Sequence, residues 1–215
     1  MARDKIQSIW IDFFFNPVAY IRKNWFILFD KRLEIVILII SGTAIAIDDI
    51  MGKVDSYAIT GSIITEIADK ALFSWWRYWL NILINSSLNG IGIYFIKGWW
   101  FNIRLKFSGD NEADIKKCRS IAIYLNMIMS TPILILIIIS SLFLPNIYAT
   151  YSNKYFQLFY TILVGGMMIP LIYFEYRVAI ENFNVDKKRL IIWFTYIPVI
   201  LLVLTIGLLI YGIVK

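Results

Sequence analysis

The chain has 215 residues, of which 60% are hydrophobic and 17% charged, with a mean hydropathy of +0.70 and a formal net charge of +6. Several apolar runs reach about 18 residues, more than a soluble core needs, so the composition predicts a polytopic membrane protein and excludes a soluble domain. Lys and Arg cluster at the ends of those runs and alternate from end to end, a pattern of membrane orientation rather than of nucleic-acid binding. Cys118 is the single cysteine and histidine is absent, which excludes internal disulfides, multi-cysteine metal sites, imidazole zinc sites and Ser-His or Cys-His nucleophiles.

Near the start, Arg3 and Lys5 precede an aromatic stretch from Ile9 to Phe15, broken by Asp12 and stopped at Asn16-Pro17. No small-residue cleavage site follows, so a retained segment is expected rather than a signal peptide. Asn16 as N-cap and Pro17 at the first helical position open a helix on which Val18, Ile21, Trp25, Phe26 and Phe29 recur at near-helical spacing. With Arg22, Lys23, Lys31 and Arg32 flanking that face, residues 1–32 predict a cytoplasmic amphipathic segment lying on the inner leaflet, packing against the protein's own spans being the other reading. The first predicted span covers about 33–50 and is stopped by Asp48-Asp49. Beyond it, Ile63, Ile64, Ile67, Ala68, Ala71 and Leu72 form one apolar face of a short external amphipathic helix.

Trp75, Trp76 and Trp79 mark re-entry at headgroup level, and the second span covers about 79–96. Asn81, Asn85 and Asn89 stand at i, i+4 and i+8, so with Tyr78 and Gly92 they form an interhelical polar stripe. Two readings apply: carboxamide glue within the bundle or a homodimer, and a polar path for a solute. No carboxylate or basic residue falls in the middle of a predicted span, which favours glue. Ser86 and Gly90, a small-xxx-small pair, predict a close helix approach on another face.

The stretch after Ile96 reads as a basic loop of roughly two dozen residues carrying Lys97, Trp99, Trp100, Arg104, Lys106, Lys116, Lys117 and Arg119. It is expected on the cytoplasmic side, touching anionic lipid headgroups, with a protein-docking surface as the alternative. Cys118, beside three basic residues, is expected to have some thiolate character without being catalytic. The third span, about 120–144, contains Pro132, with Ser130 and Thr131 placed to satisfy freed carbonyls. A short external loop with Lys154, Tyr148, Tyr151 and Tyr155 follows. The fourth span, about 156–173, holds Gly165-Gly166 and Pro170. Arg177, Lys187, Lys188 and Arg189 return the chain to the basic side, tempered by Glu175 and Glu181, and the fifth span covers about 190–214 with Pro198 inside it.

Of the 21 Lys and Arg residues, sixteen fall on the predicted cytoplasmic side and five outside, so the N-terminus is expected inside and the C-terminus outside. The fold class is therefore an all-α integral membrane protein: one membrane domain, 1–215, of five transmembrane helices with an N-terminal amphipathic helix and a short external one.

Five spans, the Asn16-Pro17 entry, Gly98 followed by Leu105-Lys106-Phe107-Ser108-Gly109, Lys116-Lys117 and a proline-bearing third span resemble the Yip (Ypt/Rab-interacting protein) family, best over Tyr78 to Pro145. The resemblance implies a non-enzymatic integral membrane protein, whose eukaryotic relatives act in vesicle trafficking and bind Rab-type GTPases and one another, while bacterial relatives mostly have no assigned function; no cofactor is expected. Eukaryotic members carry Asp-Leu-x-Gly-Pro before the first span, where Asp30-Lys31-Arg32-Leu33 stands here, so the chain looks like the bacterial branch, in an inner membrane, with an endomembrane as the alternative. The expected role is scaffolding or membrane organisation through the basic loop, with anionic headgroups and a homo-oligomeric or membrane-protein partner. The alternative function is a small transporter or channel using the Asn stripe.

Overall fold

The computed structural model describes residues 14–23, 31–60 and 74–204, the stretch 53–60 by its backbone alone. Among the described residues every regular element is helical and there is no strand. In chain order these are α1 (Pro17–Lys23), α2 (Lys31–Thr60), α3 (Trp75–Phe107), α4 (Ile115–Phe143), the single turn α5 (Ile147–Tyr151), α6 (Lys154–Asn182) and α7, helical from Lys187 to Leu204. Four helices, α2 as far as Gly52 together with α3, α4 and α6, are long and apolar enough to cross a membrane. The external helix expected at 63–72, the distal part of the fifth span at 205–215 and most of the segment 1–32 lie outside the described residues.

The basic loop expected after Ile96 is largely helix. α3 continues for 33 residues, about 50 Å at about 1.5 Å per residue, against a hydrocarbon core of about 30 Å, so it carries Lys97 to Phe107 beyond the apolar layer. No proline interrupts it, and Gly98 serves packing: a Cβ there would stand 2.6 Å from the Arg119 Cα on α4. The helix stops where only glycine is comfortable, at Gly109 with φ 108°. There the amides of Gly109 and Asp110 return to the carbonyls of Lys106 and Leu105 in a Schellman turn. Likewise α6 runs to Asn182, past the expected end of the fourth span, because nothing after Pro170 breaks it. Both inter-span loops thus shrink to the segments 108–114 and 183–186.

These two segments hold each other. Asp186 N donates to Ser108 O at 2.7 Å, and Asn184 N donates to Asp110 Oδ2 at 3.1 Å. Asp114 and Asp186 cap α4 and α7 by accepting from the amides of Lys116 and Lys188, each at 2.8 Å. In the sequence these acids count only as charge.

α2 and α3 cross at backbone contact. A Cβ on Gly42 would meet Ser86 O at 2.0 Å, and one on Gly90 would meet Leu38 O at 2.1 Å. Ser86 and Gly90 are both buried in that crossing, since without side chains between them the helices gain dispersion contact along their length. α1 is capped by Asn16, whose Oδ1 accepts from Ala19 N at 3.3 Å. Its Val18, Tyr20 and Ile21 are buried in the main core, where Tyr20 stacks on Tyr124 at 5.5 Å. The described apolar face of this helix therefore packs on the protein itself, and its Arg22 and Lys23 stay exposed.

At the opposite end Trp75 Nε1 donates to Leu144 O at 2.8 Å, the Tyr78 and Tyr151 hydroxyls lie 3.2 Å apart, and the Tyr160 hydroxyl donates to the Asp48 carboxylate. Burial pushes the Tyr151 phenol up, so it stays a neutral partner. Beside Pro132, Thr131 Oγ1 donates to Met127 O at 2.8 Å as expected, whereas Ser130 Oγ turns away to Ser41 O on α2 at 2.9 Å. α6 is the loosest of the four: only 6% of its apolar window is buried, and Gly165 and Gly166 have nothing within 4 Å of where a Cβ would stand.

The Gly42–Gly90 crossing predicts a graded response. Gly90→Leu drives a side chain into the Leu38 backbone and lowers stability by more than about 3 kcal/mol, the upper end of ordinary overpacking. Gly165→Ala leaves it within about 0.5 kcal/mol of wild type, as expected away from close contacts. Thermal unfolding in mild detergent reads both, and equal losses would contradict the crossing.

Candidate functional site

Charge is concentrated inside the protein at the end where α3, α4 and α6 leave the apolar layer. Because α3 is unbroken, Lys97 and Arg104 stand at i and i+7 on one helical face. The same continuity in α6 sets Glu175 opposite them. Arg104 Nη2 donates to Glu175 Oε2 at 2.7 Å, with the two side chains 5% and 14% exposed. The guanidinium also lies 4.2 Å over the Phe194 ring of α7 and 5.5 Å from Phe101, so aromatic faces cover the part that the carboxylate does not. Its Nε has no partner.

Lys97 Nζ donates to Asn126 Oδ1 at 2.7 Å, and Asn126 Nδ2 donates to Ser41 O at 2.7 Å, the carbonyl that also accepts from Ser130. A lysine of α3, a carboxamide of α4 and a backbone carbonyl of α2 thereby form one polar tie across three helices. In a medium without water each of these groups needs such a partner. On the same side Ser120 Oγ donates to Glu34 Oε1 at 2.8 Å.

Two π-helical turns flank this cluster, Ile93–Lys97 in α3 and Ile192–Tyr196 in α7. Each inserts one residue into the helical register, which turns Lys97 and Phe194 toward the cluster; such turns recur at functional positions. Between α6 and α7 opens a cleft of about 290 Å³ whose polar mouth is Lys97, Arg104 and Glu175 and whose floor includes Trp193, Pro198 and Leu201. Two basic side chains face one carboxylate there. The arrangement suits holding an anion or fixing helices. Among the described residues no group of His, Cys, Asp and Glu is placed to hold a metal ion.

The structure separates the residues expected to form one basic surface. Trp99, Trp100, Lys106 and Lys116 are exposed on α3 and the start of α4, and Lys117 is half-buried. Arg104 and Arg119 turn inward instead, Arg119 lying 4.7 Å over the Phe95 ring. Cys118, expected to have some thiolate character in a basic loop, is fully buried instead, with Asn102 Nδ2 at 3.6 Å from its sulfur and 2.8 Å from Ala113 O. A buried thiol without solvent access is not a reactive one.

The asparagine stripe is likewise resolved into parts. Tyr78 is buried and meets Tyr151 across the bundle, Asn85 donates to Asn81 along the same helix, Asn89 is half-buried, and Gly92 faces open space. Two further polar residues carry the interhelical work that sequence reasoning missed, Asn126 and Glu175. Asn126 was hidden in an otherwise aliphatic run, and Glu175 only shows its role once α6 is seen to continue past Tyr173.

No family model, curated protein or solved structure matches the chain.

The tie through Asn126 predicts a specific pattern of loss. Asn126→Leu leaves Lys97 and the Ser41 carbonyl short of a partner and costs about 1–3 kcal/mol. Adding Lys97→Met recovers part of that loss, because removing both partners is cheaper than removing one. Reversible denaturant unfolding in detergent measures the cycle, and strictly additive losses would contradict the tie.

Proposed function

We propose that the chain is a non-enzymatic membrane protein that organises anionic lipid and membrane-protein partners at its basic end, with that end in the cytoplasm. The observation that carries this reading is the rigid mounting of the basic end. Arg104, Arg119 and Lys97 are used internally, and the segments 108–114 and 183–186 are cross-linked by one backbone bond and one bond to the Asp110 carboxylate. What remains outward is a fixed array of exposed Lys106, Lys116, Lys187, Lys188 and Arg189 beside Trp99 and Trp100. Cations backed by interfacial indoles match a negatively charged leaflet, at about 1 kcal/mol for each Lys or Arg close to it.

The inside placement of this array follows the same rule, and the Yip-like pattern of residues supports the scaffold class as a resemblance. The Asn81–Asn85 bond lies within α3, so these carboxamides satisfy each other locally, which speaks against a solute path without tying α3 to another helix.

Two measurements test this. A Glu112→Cys variant in a Cys118→Ala background is expected to react with a membrane-impermeant maleimide in inside-out vesicles and not in intact cells; the reverse would overturn the orientation. In nanodiscs of phosphatidylcholine with phosphatidylglycerol, the wild type is expected to enrich the anionic lipid around itself. The combined Lys106→Gln, Lys116→Gln and Lys187→Gln variant is expected to lose most of that enrichment, while retention would remove the headgroup role.

A further inference from the structure

On the face of α6 turned away from α7, a second polar pocket opens directly into an apolar groove. The pocket, about 400 Å³, is bounded by Asn16, Ala19 and Arg22 of the α1 region and by Tyr173, Arg177 and Glu181 of α6. The groove, about 700 Å³, runs between α4 and α6 along Ile128, Pro132, Ile135, Leu163, Met167 and Pro170. Phe15 and Phe174 line both, so the two adjoin as the polar and apolar halves of one recess. The groove falls within the range of about 300–1,000 Å³ typical of ligand sites.

We infer that this recess holds one phospholipid, its phosphate between Arg22 and Arg177 and an acyl chain along the Pro132–Pro170 groove. The inference goes beyond the basic array described above and uses none of its residues.

Charge fits the headgroup. Glu181 is matched by Arg177, which donates to it from Nη2, whereas Arg22 Nη1 stays 4.0 Å from the other carboxylate oxygen and its side chain is 65% exposed. Two guanidinium groups against one carboxylate leave one positive charge, and the buried Nε of Arg177 has no partner in the protein. A guanidinium takes a phosphate by paired N–H donors, the geometry for which arginine is favoured over lysine. The positions are fixed rather than incidental, since burial of Val18, Tyr20 and Ile21 pins α1 across α6.

Shape fits the chain. Pro132 and Pro170 stand on facing helices and both line the groove, where α4 and α6 part instead of interlocking. Ile135 and Ile139 on the rim are half exposed, which opens the groove sideways to lipid rather than to water. An apolar groove beside a bilayer fills with hydrocarbon, and the arginines at its mouth select which molecule supplies it.

The test uses full-length protein reconstituted in phosphatidylcholine vesicles containing a phosphatidylglycerol with a diazirine on one acyl chain. After irradiation, peptide mass spectrometry reads the labelled residues. Labelling is expected to concentrate several-fold on Leu163, Met167 and Ile135 relative to Leu83 and Leu88, which face lipid on α3 without a headgroup site. Arg22→Gln with Arg177→Gln is expected to bring the groove down to the level of Leu83 and Leu88, while Lys106→Gln with Lys116→Gln leaves it unchanged. Uniform labelling of all lipid-facing residues in the wild type would overturn the inference. So would protein-to-protein cross-links from the groove, which would assign it to another copy or another part of the chain, or groove labelling that survives the loss of both arginines.

Discussion

A guanidinium taken out of water has to bring its counter-charge with it. Removing an ion from high dielectric costs several kcal/mol, and only good geometry with further hydrogen bonds or aromatic cover offsets that cost. Arg104 meets the condition through Glu175 at 2.7 Å and the Phe194 ring at 4.2 Å. Because these partners come from α6 and α7, the pairing fixes how those two helices dock on α3. Lys97 continues the same logic toward α4 and α2 through Asn126 and the Ser41 carbonyl. The charged end of the bundle is therefore held by paired buried groups, while α2 and α3 meet at Gly42 and Gly90 in close backbone contact that gains dispersion.

This division explains how much of the protein can be read from its residues. Composition and the bias of Lys and Arg are averages over many positions, so the helical membrane class survives any single misplacement. The small pair Ser86 and Gly90 is legible because close approach requires small residues whatever the partner. The extent of the helices is not. A charged residue looks like the edge of a span, yet Lys97, Arg104 and Glu175 all sit on continuous helix because each finds a partner on a neighbouring one. Pairing is a tertiary fact, and no local pattern announces it.

The same reasoning accounts for what the sequence misplaced at the candidate site. The residues assigned to one surface divide into those whose charge is consumed inside, such as Arg104 and Arg119, and those left outward, such as Lys106 and Lys116. The only signal available in advance was spacing. Lys97, Phe101 and Arg104 repeat at helical intervals with no proline among them, whereas Gly109 is, among the described residues, the one with a left-handed backbone. α6 shows the converse: its two faces carry separate basic-mouthed clefts, one toward α7 and one toward α4, on a helix whose own run of residues reads as an ordinary span.

The pairing of Arg104 with Glu175 is thus the claim on which the arrangement rests, and a double-mutant cycle in detergent measures it. Arg104→Met and Glu175→Leu are each expected to lose about 3–5 kcal/mol of unfolding free energy by stranding a buried charge, and the double variant is expected to lose far less than their sum. Losses that simply add would show that the two groups do not depend on each other, and the docking of α6 and α7 would need another cause.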